Sequence, residues 1–139
     1  MSLMYHLVQR PDKSEGAAED AKLYYGQVRV RQQITFDQLC ETIADRSTAS
    51  KGDVQVVLDG LIHVLNQQLQ NGNSVQMGDF GSFRMSCGSR GVINKEDFDT
   101  SLFKKGKIIF TPGAKLKNMA AQPKFERIEV VKEADDGTV

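Results

Sequence analysis

The spacing of hydrophobic residues changes three times along the chain, and each spacing predicts a different kind of element. In the first third, apolar and polar residues alternate in two short segments, at residues 3–8 and 28–31. A period of two is typical of strands. Residues 11–21, which lie between them, are polar, acidic and rich in small side chains, and this predicts a loop, with room for a helical turn ending near residues 24–25.

After this segment the spacing becomes that of a helix. Thr35, with Gln three positions later, has the form of a capping box, and the apolar residues that follow predict a helix over about residues 36–46. A second start signal at Ser50 precedes a longer helix, which should end at the Asn-Gly-Asn sequence of residues 71–73. The apolar stripe of this second helix is wider than one helical partner needs, so we expect a second packing partner.

Beyond the second helix the period returns to two. Three short strands are predicted, at residues 74–77, 82–86 and 107–110. Residues 88–106 mix Gly, Ser, Asn and charged residues with isolated apolar ones, which indicates an extended loop or arm. Thr111 as N-cap and Pro112 at the first helical position then predict a short basic helix over residues 114–121. The fold class predicted by this order of elements is α+β.

The distribution of charge adds a candidate function. The 139 residues carry 18 basic and 18 acidic side chains, so the net charge is zero. Residues 84–127, however, hold ten basic and four acidic residues, whereas residues 1–83 and 128–139 each have an acidic excess of three. Because binding responds to local potential, this segment predicts a polyanionic partner. The alternative is a solvated basic face on a neutral protein.

Several other function classes have little support. The mean hydropathy is −0.39 and no apolar run approaches eighteen residues, so no membrane span is predicted. The first residues lack a basic leader and a long apolar stretch, and we expect a cytoplasmic protein. Cys40, Cys87 and the two histidines lack metal-ligand spacing and form no disulfide framework. With no Gly-rich phosphate loop and no nucleophile–base pair, neither an enzyme, nor a cofactor, nor a small-molecule substrate is expected.

Three motifs follow one another in a characteristic order. They are Ser50-Lys51-Gly52-Asp53, Gly78-Asp79-Phe80-Gly81-Ser82-Phe83 and Phe110-Thr111-Pro112-Gly113-Ala114-Lys115-Leu116-Lys117. In order and spacing they resemble the second-helix start, the glycine turn between strands and the Pro-Gly sequence of the HU and integration host factor family of bacterial histone-like DNA-binding proteins. The resemblance covers roughly residues 34–121, and the first third is similar to the N-terminal extension of a longer HU-like subgroup.

The resemblance implies an HU/IHF-like fold, with two helices, a three-stranded antiparallel sheet with an extended arm, and a short C-terminal helix, preceded here by extra strands. It also implies an intertwined homodimer whose arms embrace the minor groove of double-stranded DNA. The chain would divide into an N-terminal β extension at residues 1–33, an HU-like DNA-binding domain at 34–127 and an acidic, frayed tail at 128–139. Its function would be architectural DNA binding in the nucleoid.

Eight basic side chains are the candidate phosphate contacts. They are Arg84, Arg90, Lys95, Lys104, Lys105, Lys107, Lys115 and Lys117. Lys115 and Lys117 match basic helix positions of the family, and the other six follow from charge and from strand alternation. No segment resembles a base-reading recognition helix, so we expect low sequence specificity and a steep salt dependence.

The arm departs from the family pattern. The family carries a proline near the arm tip that wedges between base pairs, whereas no proline lies between Pro11 and Pro112. Glu96 falls near the proline position, and Ser86 and Gly88 lie where the family tends to be basic. The alternative apolar wedges, each of which could instead pack within the arm or against the N-terminal extension, are Ile93, Phe98, Leu102 and Phe103. These departures support a second hypothesis, an HU-shaped protein-interaction or scaffold module with weak or no DNA binding.

Overall fold

The computed structural model describes residues 1–129, which form two compact units. One unit contains Met1–Ile34 and the described residues from Gln122 onward, and the other contains Thr35–Ala121. Helices and sheets are both present, which confirms the α+β class. The functional boundaries predicted from the sequence stay a prediction, and residues 130–139 of the predicted acidic tail lie outside the described residues.

The first unit is a three-stranded sheet. Its strands are β1 (Leu3–Pro11), β2 (Lys22–Arg29) and β6 (Phe125–Arg127), in the order β2-β1-β6. Strand β2 is antiparallel to β1, and β6 is parallel to it. The first predicted N-terminal strand is confirmed, whereas the second, predicted at residues 28–31, begins earlier, at Lys22, and ends at Arg29. The predicted helical turn near Tyr24 and Tyr25 is wrong, because both tyrosines pair with β1 in the ladder, where aromatic side chains fit well.

Helices α1 (Phe36–Asp45) and α2 (Lys51–Gln70) begin after Thr35 and Ser50, the two start signals that the sequence predicts, and both starts are capping boxes. The Thr35 hydroxyl accepts from the backbone N–H of Gln38 at 3.1 Å, and the Gln38 side chain accepts from the N–H of Thr35 at 3.0 Å. Ser50 and Asp53 repeat the arrangement at the start of α2. Among residues 1–129, no helix combines the length and the apolar character that a membrane span requires.

The sheet of the second unit is antiparallel. It consists of β3 (Val75–Gln76), β4 (Gly81–Ser86) and β5 (Lys107–Pro112), and the helix α3 (Ala114–Ala121) follows it. The predicted helix start at Thr111 and Pro112 is wrong, because both residues pair with β4. Strand β5 lies at the sheet edge, where a proline without an N–H is tolerated. The helix follows Gly113, whose carbonyl accepts from the N–H of Lys117 at 2.9 Å.

Helix α2 exposes much of its apolar surface. The buried hydrophobic residues of the described chain are Cys40, Val54 and Leu69. In contrast, Val57 is 68% exposed and Ile62 is 63% exposed. One copy of the second unit therefore leaves part of the wide stripe predicted for this helix without a packing partner.

Candidate nucleic-acid interface

Two glycines hold the turn before β4 against the start of α3. Gly81 has a φ of 137°, and a Cβ there would collide with the backbone oxygen of Thr111. A Cβ on Gly113 would collide with the carbonyl of Asp79, while the Gly113 N–H donates to the Phe80 carbonyl at 3.0 Å. This double close approach explains why the glycine turn and the Pro-Gly motif occur together, because each needs a residue without a side chain at the contact.

The strand register gives the second-unit sheet two different faces. On one face Phe83 lies opposite Phe110, with their ring centroids 4.9 Å apart, and Phe80 contacts both rings. Since side chains alternate along each strand, the other residues point to the opposite side. That side, here termed the polar sheet face, carries Gln76, Ser82, Arg84, Ser86, Lys107, Ile109 and Thr111.

Arg84 and Lys107 are neighbours on the polar sheet face. Lys107 lies opposite Ser86, which is two residues from Arg84, so the two cations occupy diagonal positions of one strand pair. Both are exposed, and neither has a salt-bridge partner among the described residues. The polar sheet face contains no carboxylate, so its own side chains carry only positive charge.

The connection between β4 and β5, residues 87–106, continues the hairpin beyond the sheet. The N–H of Arg90 donates to the Leu102 carbonyl at 2.9 Å, and the N–H of Lys104 donates to the Gly88 carbonyl at 2.7 Å. Arg90 and Lys104 therefore lie on the two sides of one antiparallel extension, and both are exposed.

One residue more is present on the returning side of this extension. Ser86 pairs with Lys107, and Ser89 pairs with Phe103. Between these two pairs the outgoing side advances by three residues, whereas the returning side advances by four. Such an offset is a β-bulge, which twists the ladder and changes the direction of the side chains beyond it. Lys105 lies within this offset, so alternation along β5 does not place it on the polar sheet face.

The far end of the connection is acidic around Lys95. This lysine begins a short turn that also contains Glu96 and Asp97, and Asp99 follows. The side chain and the backbone N–H of Ser101 both donate to Asp99, and these hydrogen bonds lower the pKa of its carboxyl. Because the three carboxylates offset the charge of Lys95, it is the weakest of the eight candidates for phosphate contact.

The four apolar candidates of the connection differ in exposure. Phe98 and Phe103 pack edge to face, with ring centroids 5.5 Å apart, and Leu102 is half-buried. Ile93 is 100% exposed. Phe98 and Phe103 thus contact each other within the connection, and Ile93 projects into solvent.

The lysines of α3 do not form one patch. Lys115 lies 3.5 Å from a carboxylate oxygen of Asp79, and Lys117 follows two residues later. Side chains two positions apart on a helix point in different directions. The structure therefore brings Arg84 and Lys107 together and leaves Lys115 and Lys117 on separate sides of their helix, although both remain exposed.

The polar sheet face also carries neutral donors, which a count of charges does not find. Gln76, Ser82 and Thr111 share the polar sheet face with the two cations, and each carries an N–H or O–H that can donate to a phosphate oxygen. The alternation of the strands contained this signal, but it could be used only with the register between β3, β4 and β5.

Two sequence comparisons relate this chain to HU proteins. The family model HU-HIG, described as an HU domain fused to wHTH, Ig, or glycine-rich motif, matches residues 1–127. The DNA-binding protein HU of Thermotoga maritima is 29% identical over 86 residues, covering 60% of this chain and 96% of that protein.

Two solved structures are also similar. A Bacteroides vulgatus protein, provisionally described as a bacterial DNA-binding protein, superposes with a TM-score of 0.62 at 16% identity and covers 94% of this chain. This chain spans 51% of that protein, so the likeness concerns the fold of about half of it. An Anabaena HU–DNA cocrystal structure gives a TM-score of 0.48 at 20% identity, over 63% of this chain and 97% of that one.

Proposed function

Because the chain belongs to the HU-HIG family, we propose that it is an architectural DNA-binding protein that binds duplex DNA with low sequence specificity in the bacterial nucleoid. The polar sheet face is the observation that carries this proposal. It combines two adjacent cations with neutral hydrogen-bond donors and no carboxylate. Such a surface suits the phosphate backbone, which supplies affinity without reading the base sequence.

The remaining basic candidates extend this surface. Arg90, Lys104 and Lys105 would continue the phosphate contacts along the β4–β5 connection, with Lys95 as the weakest member. Lys115 and Lys117 would contact phosphates from α3, where Lys115 must exchange its exposed ion pair with Asp79 for a phosphate. Exposed ion pairs are worth little, so this exchange is cheap.

We propose that residues 87–106 act as an arm in the minor groove and that Ile93 replaces the missing proline as the wedge. Its side chain is fully exposed, whereas Phe98 and Phe103 are engaged with each other. Apolar side chains of several kinds can unstack a base step and bend the duplex. Bending would therefore depend on Ile93, while affinity would depend on the basic residues.

The proposed active form is a homodimer. Val57 and Ile62 of α2 expose more than half of their surface, and a second copy packed against this helix would remove it from water. The dimer would also double the number of phosphate contacts. This part of the proposal rests on the exposed apolar surface together with the resemblance to HU.

The test is duplex binding measured by fluorescence anisotropy at low and at moderate salt. We expect binding at low salt that weakens steeply as salt is added, because each neutralised phosphate releases counterions. Competition by an unrelated duplex sequence should be nearly as effective as competition by the labelled one. Absence of binding at low salt would refute the proposal.

A scaffold or protein-interaction module is the second candidate. Two observations favour it: the net charge is zero, and three carboxylates follow Lys95 within four residues at the end of the connection. If the protein binds no duplex at low salt but still self-associates, this candidate replaces the first.

A further inference from the structure

The outer strand of the N-terminal sheet has an open edge. The N–H of Asp12 donates to the Ala21 carbonyl at 2.8 Å, and hydrogen-bonded pairs then recur at every second residue of β2. The residues between them direct their N–H and C=O groups away from β1, and these are Lys22, Tyr24, Gly26 and Val28. Strand β2 contains no proline and no acidic residue, so its edge has few of the features that protect edge strands from pairing.

Opposite charges flank the two ends of this strand. Glu19 and Asp20 precede β2, whereas Arg29 ends it and Arg31 follows. All four are exposed and have no salt-bridge partner among residues 1–129. An antiparallel copy of the strand would bring the acidic end of each chain to the basic end of the other, and parallel pairing would bring like charges together.

An exposed tyrosine and an apolar pocket lie next to each other on one face of the same strand. Tyr24 is 67% exposed, and two residues further an apolar pocket of about 270 Å³ is lined by Tyr5, Gly26, Val28 and Phe125. Tyr24 and the four lining residues share this face, as the register shows. Gly26 adds no side chain to the pocket, and the ring of Tyr5 lies 3.6 Å from the position that a Cβ on Gly26 would occupy.

From these three features we propose that β2 pairs with β2 of a second copy of this chain, antiparallel and with the twofold axis at Tyr25. In this register Tyr24 lies opposite the partner's Gly26, so each tyrosine ring enters the pocket of the other chain. An aromatic side chain across from glycine is a favourable cross-strand pair. The outward backbone groups of the two edges also satisfy each other, which gives a continuous six-stranded sheet.

This pairing differs from the α2-mediated dimer and does not depend on DNA binding. It assigns a self-association role to the N-terminal unit. An extended peptide of another protein could use the same edge, but the opposite charges at the two ends and the match of Tyr24 to Gly26 favour a second copy.

Cysteine crosslinking of the full chain tests the register. In a Cys87→Ser background, which leaves only the buried Cys40, Tyr25→Cys would place two cysteines opposite each other, within bridging distance. The matched control is Gln27→Cys on the same strand and face. Its two copies would lie roughly 14 Å apart, four residues along the strand, which is too far for a disulfide.

Under mild oxidation we expect the Tyr25→Cys protein to form a disulfide-linked dimer and the Gln27→Cys protein to form none. Glu19→Arg should slow the crosslinking about fivefold, and adding Arg31→Glu should restore it, which a general folding defect would not allow. Arg10→Glu, on the central strand, is the control for charge change. Equal crosslinking of the two cysteine variants, or no crosslinking of the purified protein, would overturn the proposal. Duplex binding measured on the same samples distinguishes this result from failure of the DNA-binding function.

Discussion

Gly81 and Gly113 are the residues on which the close approach of the turn before β4 to the start of α3 depends most directly. Each stands where a side chain would meet backbone atoms that cannot move aside, and Gly81 also has a positive φ. The sequence identified both positions as turn or helix-start signals, but it could not show that they contact each other's segments. That contact becomes visible only when β4 and β5 are paired.

Gly113→Ala should destabilise the protein by about 2 kcal/mol, because the new methyl group meets the Asp79 carbonyl. Thermal unfolding followed by circular dichroism measures this loss. Gly52→Ala is the control, since a Cβ there lies 3.8 Å from the Ser50 hydroxyl and the residue is helical. It should be neutral or slightly stabilising, and an equal loss in both variants would contradict the account of Gly113.

The stability that Asp53 gives to the start of α2 should depend on pH. The backbone N–H of Ser50 donates to the Asp53 carboxylate at 3.1 Å, and hydrogen bonding with Ser50 lowers the pKa of this carboxyl from its usual value. A lowered folded-state pKa gives stability that is present above the unfolded-state pKa and is lost as the pH falls through the folded-state value. At pH 7 the melting temperature of Asp53→Asn should therefore be lower than that of the wild type. At strongly acidic pH the difference between the two melting temperatures should disappear. A gap that is independent of pH would contradict this assignment.

At the scale of elements, local signals predicted most of the structure. N-cap signals and helical spacing located α1 and α2, and alternation located β1, β3, β4 and β5 but only the end of β2. Strand β6 was missed because three residues are too few to show a period, and its pairing with β1 joins distant parts of the sequence. The end of β5 was placed too early because Thr111 and Pro112 satisfy both a helix start and an edge strand.

Bending of the duplex should depend on a residue of the β4–β5 connection. Ile93→Ala should reduce the bending of a doubly labelled duplex, measured by fluorescence resonance energy transfer, and should change affinity much less. The reason is that Ile93 is fully exposed and uncharged. Val92→Ala, at the neighbouring position, is the control. If both variants bend the duplex as the wild type does, Ile93 is not the wedge.

For the whole molecule, the exposed surface of α2 is the main feature that one chain does not explain. The sequence predicted a second partner from the width of the apolar stripe, and the structure shows that much of the stripe is uncovered. The candidate site was predicted less completely. Charge counting found Arg84 and Lys107, but their placement on one face without carboxylates follows from strand register, which one sequence does not reveal.

Val57→Asp should dissociate the proposed α2-mediated dimer, because it places a carboxylate in an apolar contact. In a Glu19→Arg background, where β2 pairing is weakened, sedimentation velocity of the Val57→Asp protein should show a lower mass than that of the Glu19→Arg protein alone. The control is Gln67→Asp, which adds the same charge at an exposed polar position of α2. A wild-type protein that sediments as a monomer would contradict the proposed dimer.

The most direct test of the central claim is the slope of log K against log salt for duplex binding. The wild-type dimer should give a slope of roughly −8, corresponding to on the order of four phosphates per protomer. Arg84→Ala combined with Lys107→Ala removes two contacts per protomer, so the slope should become shallower by about 4, whereas Arg10→Ala with Lys13→Ala in the N-terminal unit should leave it unchanged. An unchanged slope in the Arg84 and Lys107 variant would show that the polar sheet face does not bind DNA.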